Sequence, residues 1–338
     1  MSKASKPAHH LPDGRFTNPW PNSRLGASAL AMLKWQWQRI RHGVPATPDA
    51  SQFPLSVPDI CRPAAPPQEC RVTWLGQSGF FVQIGAVNLL LDPVLSVRAS
   101  PFASIGPARI PAAPLSIADL PRIDAVVLSH DHYDHLDART LAELVERFGA
   151  MLPIFAPLGY RSWFASLGAR NVTERDWWQT ASLGEAIELT CLPAQHWTRR
   201  GFSTARRLWA SWLICSRSQR LYFCGDSGYC PAFREIRERV GAPDIALLPI
   251  GAYEPRWFMK PAHMNPEEAV QTFIDLGARD FVAMHWGTFR LTDEPMLEPP
   301  VRTRRAWEEH QLPWRHLHIP RHGETLIFDA ATSGRAAL

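Results

Sequence analysis

The sequence predicts an α/β fold, and three observations carry the prediction. Short apolar runs rich in Val, Leu, Ile and Phe recur from residue 70 onward, each stopped by Gly, Pro, Ser or Asp. Helix signals fall between several of them, as in Asp137 before the Ala138–Arg147 stretch and Asn265-Pro266-Glu267-Glu268 before Gly277. Side chains of the metal-binding type follow directly on four of the runs, at the strand ends where α/β folds place their chemistry.

Composition sets the bounds. The 338 residues give room for one large domain or two modest ones, and a hydrophobic content of 46% is enough for a real core. The net charge of +4 carries no dense Lys/Arg run, which suits anionic substrates or surfaces. No basic-aromatic motif speaks for nucleic acid. The six cysteines form no CxxC pair and read as buried thiols of a reducing, cytoplasmic compartment. The first residues lack the apolar core of a secretory signal, and no stretch is long and apolar enough to span a bilayer. The 14 tryptophans divide between core positions and the pockets or lipid interfaces that Trp favours, so peripheral contact with the cytoplasmic membrane face is one expectation.

Taken in order, residues 1–15 read as a disordered tail and 16–69 as an extension that docks on the body or on a membrane. Within it Phe16–Asn22, FTNPWPN, is too specific for a random tail. Ser28–Arg41 predicts a basic amphipathic helix, with Leu30, Leu33, Trp37 and Ile40 at helical spacing. The Pro-rich residues 43–69 read as a wrapping linker.

The main domain spans 70–330. Strands are predicted at 72–75, 80–84 and 88–91, then a long Pro-punctuated loop at 96–121 of the kind that serves function. The strand 125–128 follows, and after the helix from Asp137 come a short strand at 153–156 and a helix at 160–166. Later strands fall at 186–192, 209–215, 220–224, 245–249, 281–284, 317–320 and 325–328.

The chemistry begins at Ala125–Asp137, AVVLSHDHYDHLD, where His130, His132, Asp134 and His135 stand within six positions. Composition alone yields H-x-H-x-D-H in roughly one chain of this length in a thousand. Imidazole and carboxylate are the ligands of zinc and similar ions. One loop can direct His130 and His132 to one metal, and Asp134 and His135 to a second. Neither set completes a coordination shell, so the reading demands further ligands at later strand ends. His196, Asp226 and His285 meet that demand, each just past an apolar run.

The His130–His135 motif resembles that of the metallo-β-lactamase superfamily. The strings DGRFTNPWP, RVTWLG, CGDSGYCPAF, PIGAYEPRWFMK, NPEEAV and MHWGTF…LEPP resemble more narrowly the N-acyl-phosphatidylethanolamine phospholipase D family, from about Asp13 to Glu324. The resemblance implies a four-layer αββα sandwich and two Zn2+ ions. It implies His130, His132 and His196 on one zinc, Asp134, His135 and His285 on the other, and Asp226 bridging. It also implies a phospholipid substrate; a peripheral membrane contact and a homodimer are further expectations. His263 aligns with a histidine that the family places near the substrate phosphate, and Gln77 stands where the family often has histidine.

The activity expected from the resemblance is hydrolysis of N-acyl-phosphatidylethanolamine to N-acylethanolamine and phosphatidic acid, by attack of a metal-bridging hydroxide on phosphorus. Asp134 is expected to orient the nucleophile, and His263 to bind phosphate or protonate the leaving oxygen. Tyr253, Arg256 and Trp257 are expected in the substrate pocket. The alternatives are a lactonase or another phosphodiesterase on the same scaffold, and a non-catalytic lipid-binding protein.

Overall fold

A computed structural model describes residues 7–21, 29–201 and 203–330. Asn22 and Ser28, which belong to the docking motif and the helix expected above, lie outside the described residues, as do residues 1–6. Helix α1 (Ala29–His42) precedes β1 (Glu69–Gly76), β2 (Gly79–Ile84), β3 (Val87–Leu91), β4 (Ala125–Val127), α2 (Ala138–Phe148), β5 (Ile154–Pro157), α3 (Arg161–Ser166) and β6 (Val172–Arg175). Then come β7 (Thr180–Leu183), β8 (Ile187–Leu192), β9 (Arg199–Arg200), β10 (Ser203–Thr204), β11 (Ser211–Cys215), β12 (Arg220–Phe223), α4 (Ala232–Val240) and β13 (Ile245–Pro249). The chain closes with α5 (Arg256–Met259), α6 (Pro266–Leu276), β14 (Asp280–Met284), α7 (Glu298–Glu309), β15 (Leu317–His318) and β16 (Thr325–Asp329).

Two seven-stranded mixed sheets face each other. One has the order β16-β1-β2-β3-β4-β5-β6 and the other β15-β14-β13-β12-β11-β8-β7. Side chains alternate across a strand, and here the alternation decides the layers. Phe80, Val82, Ile84, Leu89, Leu91, Ala125 and Val127 enter the large core shared with the second sheet. Their sequence neighbours Phe81, Leu90, Val126 and Leu128 point the other way, into a second core with Leu141 and Leu144 of α2 and Phe164 of α3. Helices α4, α6 and α7 cover the second sheet through Phe233, Phe273 and Trp307. The expected αββα sandwich is the observed architecture.

Local signals place the helices. Asp137 caps α2 by accepting from Arg139 N, and the chain leaves at Gly149 with φ 92°. Asn265 and Glu268 form a reciprocal capping box on α6, with Pro266 in its first turn and Gly277 at its end. Helices α4, α5 and α7 and strands β6 and β7 go beyond the sequence reading. The loop 96–121 is tied down by bridges from Arg98 to Ala108 and from Arg109 to Phe289, so its backbone is ordered against the body.

The N-terminal extension corrects one expectation. Within residues 7–15, read above as part of a disordered tail, His9 and His10 dock on the body, each meeting Asp176 at 2.7 Å. Helix α1 docks by one face only. Its apolar stripe faces away from the protein: Leu30, Leu33, Trp37 and Ile40 are 54–85% exposed. Its other face is the docked one. Trp35 is buried and its indole donates to Asp293, while the Arg39 guanidinium meets the same carboxylate at 3.1 Å. No described helix is long and apolar enough to cross a membrane.

Candidate metal centre

All of the strands that deliver the candidate ligands end on the same edge of the sandwich. The loop after β4 carries His130 to His135, the loop after β8 carries His196, β12 runs into Asp226, and β14 into His285. Two glycines permit the close approach. A Cβ on Gly225, beside Asp226, would lie 2.6 Å from the Ser129 Cβ. A Cβ on Gly251 would lie 2.1 Å from the His285 carbonyl oxygen.

Two four-residue clusters result: His130, His132, His196 and Asp226, and beside it Asp134, His135, Asp226 and His285. Asp226 belongs to both. In the first, His132 Nδ1 lies 2.9 Å from His130 Nε2 and 3.1 Å from His196 Nε2. In the second, Asp226 Oδ2 lies 3.1 Å from His135 Nε2, and Asp226 Oδ1 lies 3.1 Å from His285 Nε2. Asp134 Oδ2 stands 3.3 Å from His285 Nε2 and 3.5 Å from His135 Nε2.

These atoms fit metal ions better than they fit one another. His135 Nε2, His285 Nε2 and Asp226 Oδ1 are buried with no hydrogen-bond partner. Buried polar atoms are rarely left so, and a divalent ion between them would satisfy all three. The electrostatics agree. Burial and the neighbouring imidazoles push His130 well below the usual imidazole range, so it is a neutral donor. Burial opposes charge on Asp226, yet His135 and His285 hold its carboxyl well below the usual range. Against their burial, Asp226 and Asp134 in turn push His135 well up and His285 up to about 9, so these two rings hold protons that an ion must displace to bind them in the neutral form that ligates.

A second tier of side chains fixes the ligands. Asp92 Oδ2 accepts from His135 Nδ1 at 2.7 Å, and its Oδ1 accepts from Ser129 N at 2.7 Å. The Ala262 carbonyl accepts from His196 Nδ1 at 2.9 Å. Gln77 Nε2 donates to Asp134 Oδ2 at 2.9 Å. Asp131, inside the motif, accepts from Arg199 N at 2.9 Å and from the Arg207 guanidinium at 3.0 Å. The N-terminal extension also takes part: Asn18 Nδ2 donates to the His196 carbonyl at 2.9 Å, and Trp209 Nε1 donates to Asn18 Oδ1 at 3.2 Å. The sequence reading gave Asp92, Asp131 and Asn18 no role. Asp92 had the signal that revealed Asp226, a carboxylate just past an apolar run.

Replacing Asn18 by alanine is expected to weaken metal binding by about tenfold, the low end for a lost ligand support, because it frees the His196 backbone while the ring keeps its bond to Ala262. Competition with a chromophoric chelator measures it, and an unchanged affinity would deny Asn18 that part.

A cavity of about 780 Å3 opens over the clusters. His132, Asp134, Asp226 and His263 form its polar floor, and Met32 and Trp35 of α1 with Trp197, Trp257, Phe258 and Met259 form apolar walls. His263 stands on the cavity floor with Nδ1 3.8 Å from Asp226 Oδ2. Burial pushes its pKa down to about 4, so it is neutral at neutral pH and can donate a hydrogen bond but is a poor proton source. Trp257 lines the cavity.

Tyr253 and Arg256 do not line it. Tyr253 is fully buried and turns its hydroxyl away to Glu298 at 2.9 Å. The Arg256 guanidinium donates to the His263 carbonyl at 2.9 Å and to Glu268 at 2.7 Å. These two contacts brace the His263 turn.

Comparison with known proteins bears on this centre. The family described as "Beta-lactamase superfamily domain" matches residues 87–286. The "N-acyl-phosphatidylethanolamine-hydrolyzing phospholipase D 1" of Caenorhabditis elegans is 41% identical over 238 residues, which cover 67% of each chain. The chain belongs to the N-acyl-phosphatidylethanolamine phospholipase D family of the β-lactamase superfamily. An uncharacterized protein of Mycobacterium tuberculosis is 40% identical over 306 residues, covering 88% of this chain and 80% of its own. A solved metallo hydrolase from Ignicoccus hospitalis shares the fold, with a TM-score of 0.59 at 20% identity over 77% of this chain and 99% of that one. By family and fold, this phospholipase D family member is a metal-dependent hydrolase.

Proposed function

We propose that the chain is a binuclear-zinc phosphodiesterase of the phospholipase D type. Its substrate is N-acyl-phosphatidylethanolamine, and its products are N-acylethanolamine and phosphatidic acid. The observation that carries this reading is the cavity itself, which joins a floor of metal-type ligands to apolar walls in one continuous space. An amphiphile with a phosphodiester between its headgroup and its chains fits such a space.

In this reading His130, His132 and His196 hold one ion, Asp134, His135 and His285 the other, and Asp226 both. When bound, two divalent ions supply Lewis acidity and make a bound water acidic enough to attack near neutral pH. Their charge outweighs that of Asp134 and Asp226, leaving a positive floor for a monoanionic phosphodiester.

The chain's own residues do the rest. Asp134, fixed by Gln77, orients the attacking water. His263, neutral and on the cavity floor, donates a hydrogen bond to a phosphoryl oxygen. The walls around Trp35, Trp197 and Phe258 exclude bulk water and hold acyl chain.

The outward stripe of α1 supports a peripheral membrane contact. Leu30, Leu33, Trp37 and Ile40 are exposed on the helix whose other face walls the cavity. Val97, Phe102 and Ile105 are likewise more than 60% exposed on the loop that contributes Ala99 to the cavity. Both segments would meet a bilayer on the side where substrate enters.

The test is product analysis with vesicles of N-acyl-phosphatidylethanolamine. Mass spectrometry should find N-acylethanolamine and phosphatidic acid with the wild type, and neither with His130→Ala. Serine at Leu30, Leu33, Trp37 and Ile40 should lower the rate on vesicles at least tenfold and leave the rate on a short-chain, monomeric analogue unchanged. No product from a protein loaded with two metals per chain would discard the phospholipid assignment. An unchanged vesicle rate in the serine variant would discard the membrane contact.

A further inference from the structure

A third cluster of ligand-type side chains lies outside the cavity. His9 Nε2 stands 2.7 Å from Asp176 Oδ1, and His10 Nε2 stands 2.7 Å from Asp176 Oδ2. The two imidazoles thus converge on the two oxygens of one carboxylate. His9 is buried, and its ring stacks on Trp177 at a centroid distance of 4.1 Å. Asp176 has only 13% of its side chain exposed. Among the described residues, no arginine or lysine pairs with it; His9 and His10 are its only ion-pair partners.

We propose that His9, His10 and Asp176 form a mononuclear site for a borderline divalent ion of the zinc, cobalt or nickel kind. The site is separate from the catalytic floor and pins the N-terminal strap to the body. It rests on no assignment of the cavity's chemistry.

Three observations carry this. The first is the donor set. Two imidazoles and a carboxylate select zinc and its neighbours over calcium or magnesium, which take oxygen ligands. Three protein ligands leave a position for water.

The second is geometry. The ligand atoms of the triad all lie within 4.8 Å of one another, as do those of both cavity clusters. Tetrahedral zinc with bonds of about 2.0–2.2 Å spaces its ligands roughly 3.3–3.5 Å apart. The triad is closer than that, but so is the first cavity cluster, whose ligand nitrogens stand 2.9 and 3.1 Å apart. In both places a small opening admits the ion, and at the triad the ion replaces the two N–H protons that now bond Asp176.

The third is what the strap holds. His9 O accepts from Thr17 N at 2.9 Å, and Phe16 N donates to Ala205 O at 2.8 Å. The next residue, Asn18, reaches the carbonyl of His196. The link between residues 10 and 176 closes a loop spanning 166 residues, so fixing it removes much chain entropy. An ion here would hold in place the segment that braces a ligand of the cavity.

The test uses the untagged full chain, stripped with chelator and dialysed to equilibrium against zinc, with metal counted by mass spectrometry. Glutamine at both His9 and His10 keeps an N–H donor for Asp176 but is a poor zinc ligand. Asp176→Asn removes the charge and keeps the shape. Each variant should hold one zinc fewer per chain than the wild type. Equal counts in the wild type and both variants would overturn the site and leave a hydrogen-bonded clamp. Anomalous scattering at the zinc edge from wild-type crystals decides the matter without a substitution. A peak between His9, His10 and Asp176 is expected, and no peak there beside fully occupied cavity positions would overturn it.

Discussion

Asp226→Asn is expected to lower kcat/KM by roughly three orders of magnitude or more, the scale on which losing metal-ion electrophilic assistance is felt. Asp226 lies 3.1 Å from His135 Nε2 and from His285 Nε2, and 3.8 Å from His130 Nε2 and His196 Nε2. No other side chain belongs to both cavity clusters among the described residues. Asparagine keeps the volume, so the loss should come with a fold that still melts cooperatively. Metal content should fall from the proposed two ions per chain to one or none. If Asp226→Asn kept two ions and near-normal turnover, the shared-carboxylate arrangement would be wrong.

The second large effect is expected at His263. Removing the imidazole with His263→Ala should reduce kcat by about 10²- to 10⁴-fold, within the range for a group that meets the reacting atoms. Metal content should stay unchanged, because His263 belongs to neither cluster. Its Nδ1 is buried with no hydrogen-bond partner and lines the cavity, so it is poised for a ligand atom that is not protein. Burial pushes its pKa down to about 4, which makes it a hydrogen-bond donor and not a proton source near pH 7. Glutamine supplies an N–H without a titrating ring, and His263→Gln should therefore retain part of the lost activity. If glutamine restored nothing while alanine cost the full amount, proton transfer by the ring would be the better account. KM and kcat measured together on a soluble analogue separate positioning of the phosphate from loss of the metal ions.

What the sequence made legible follows from how local each signal is. The HDHYDH loop was readable because four ligands lie within six positions. His196, Asp226 and His285 were readable because each follows an apolar run, and the parallel register of β12, β13 and β14 brings such run ends to one edge. The caps at Asp137 and Asn265 were readable because capping is a contact within one turn.

Direction was not readable. Tyr253 and Arg256 stand after a strand end, as Asp226 does, yet they point to Glu298 and to the His263 turn. Position along a chain says where a residue sits, and packing against later elements decides which way it faces. The same limit hid the outward stripe of α1. Its periodicity was visible, but a helix with apolar residues on two faces does not say which one docks, and the contact of Trp35 with Asp293 settles it. The role of Asn18 was hidden because its partner lies 178 residues away. Strands β6 and β7 escaped because they are short and half-exposed at sheet edges, where alternation is weak.

The most direct test of the central claim is to follow oxygen during hydrolysis in H2(18)O. Attack on phosphorus breaks the bond between phosphorus and the ethanolamine oxygen, and the oxygen of water enters the phosphate. One labelled oxygen should appear in phosphatidic acid and none in the N-acylethanolamine, and His130→Ala should yield neither product. Label in the hydroxyl of N-acylethanolamine would mean attack on carbon, and would contradict the proposed phosphodiesterase.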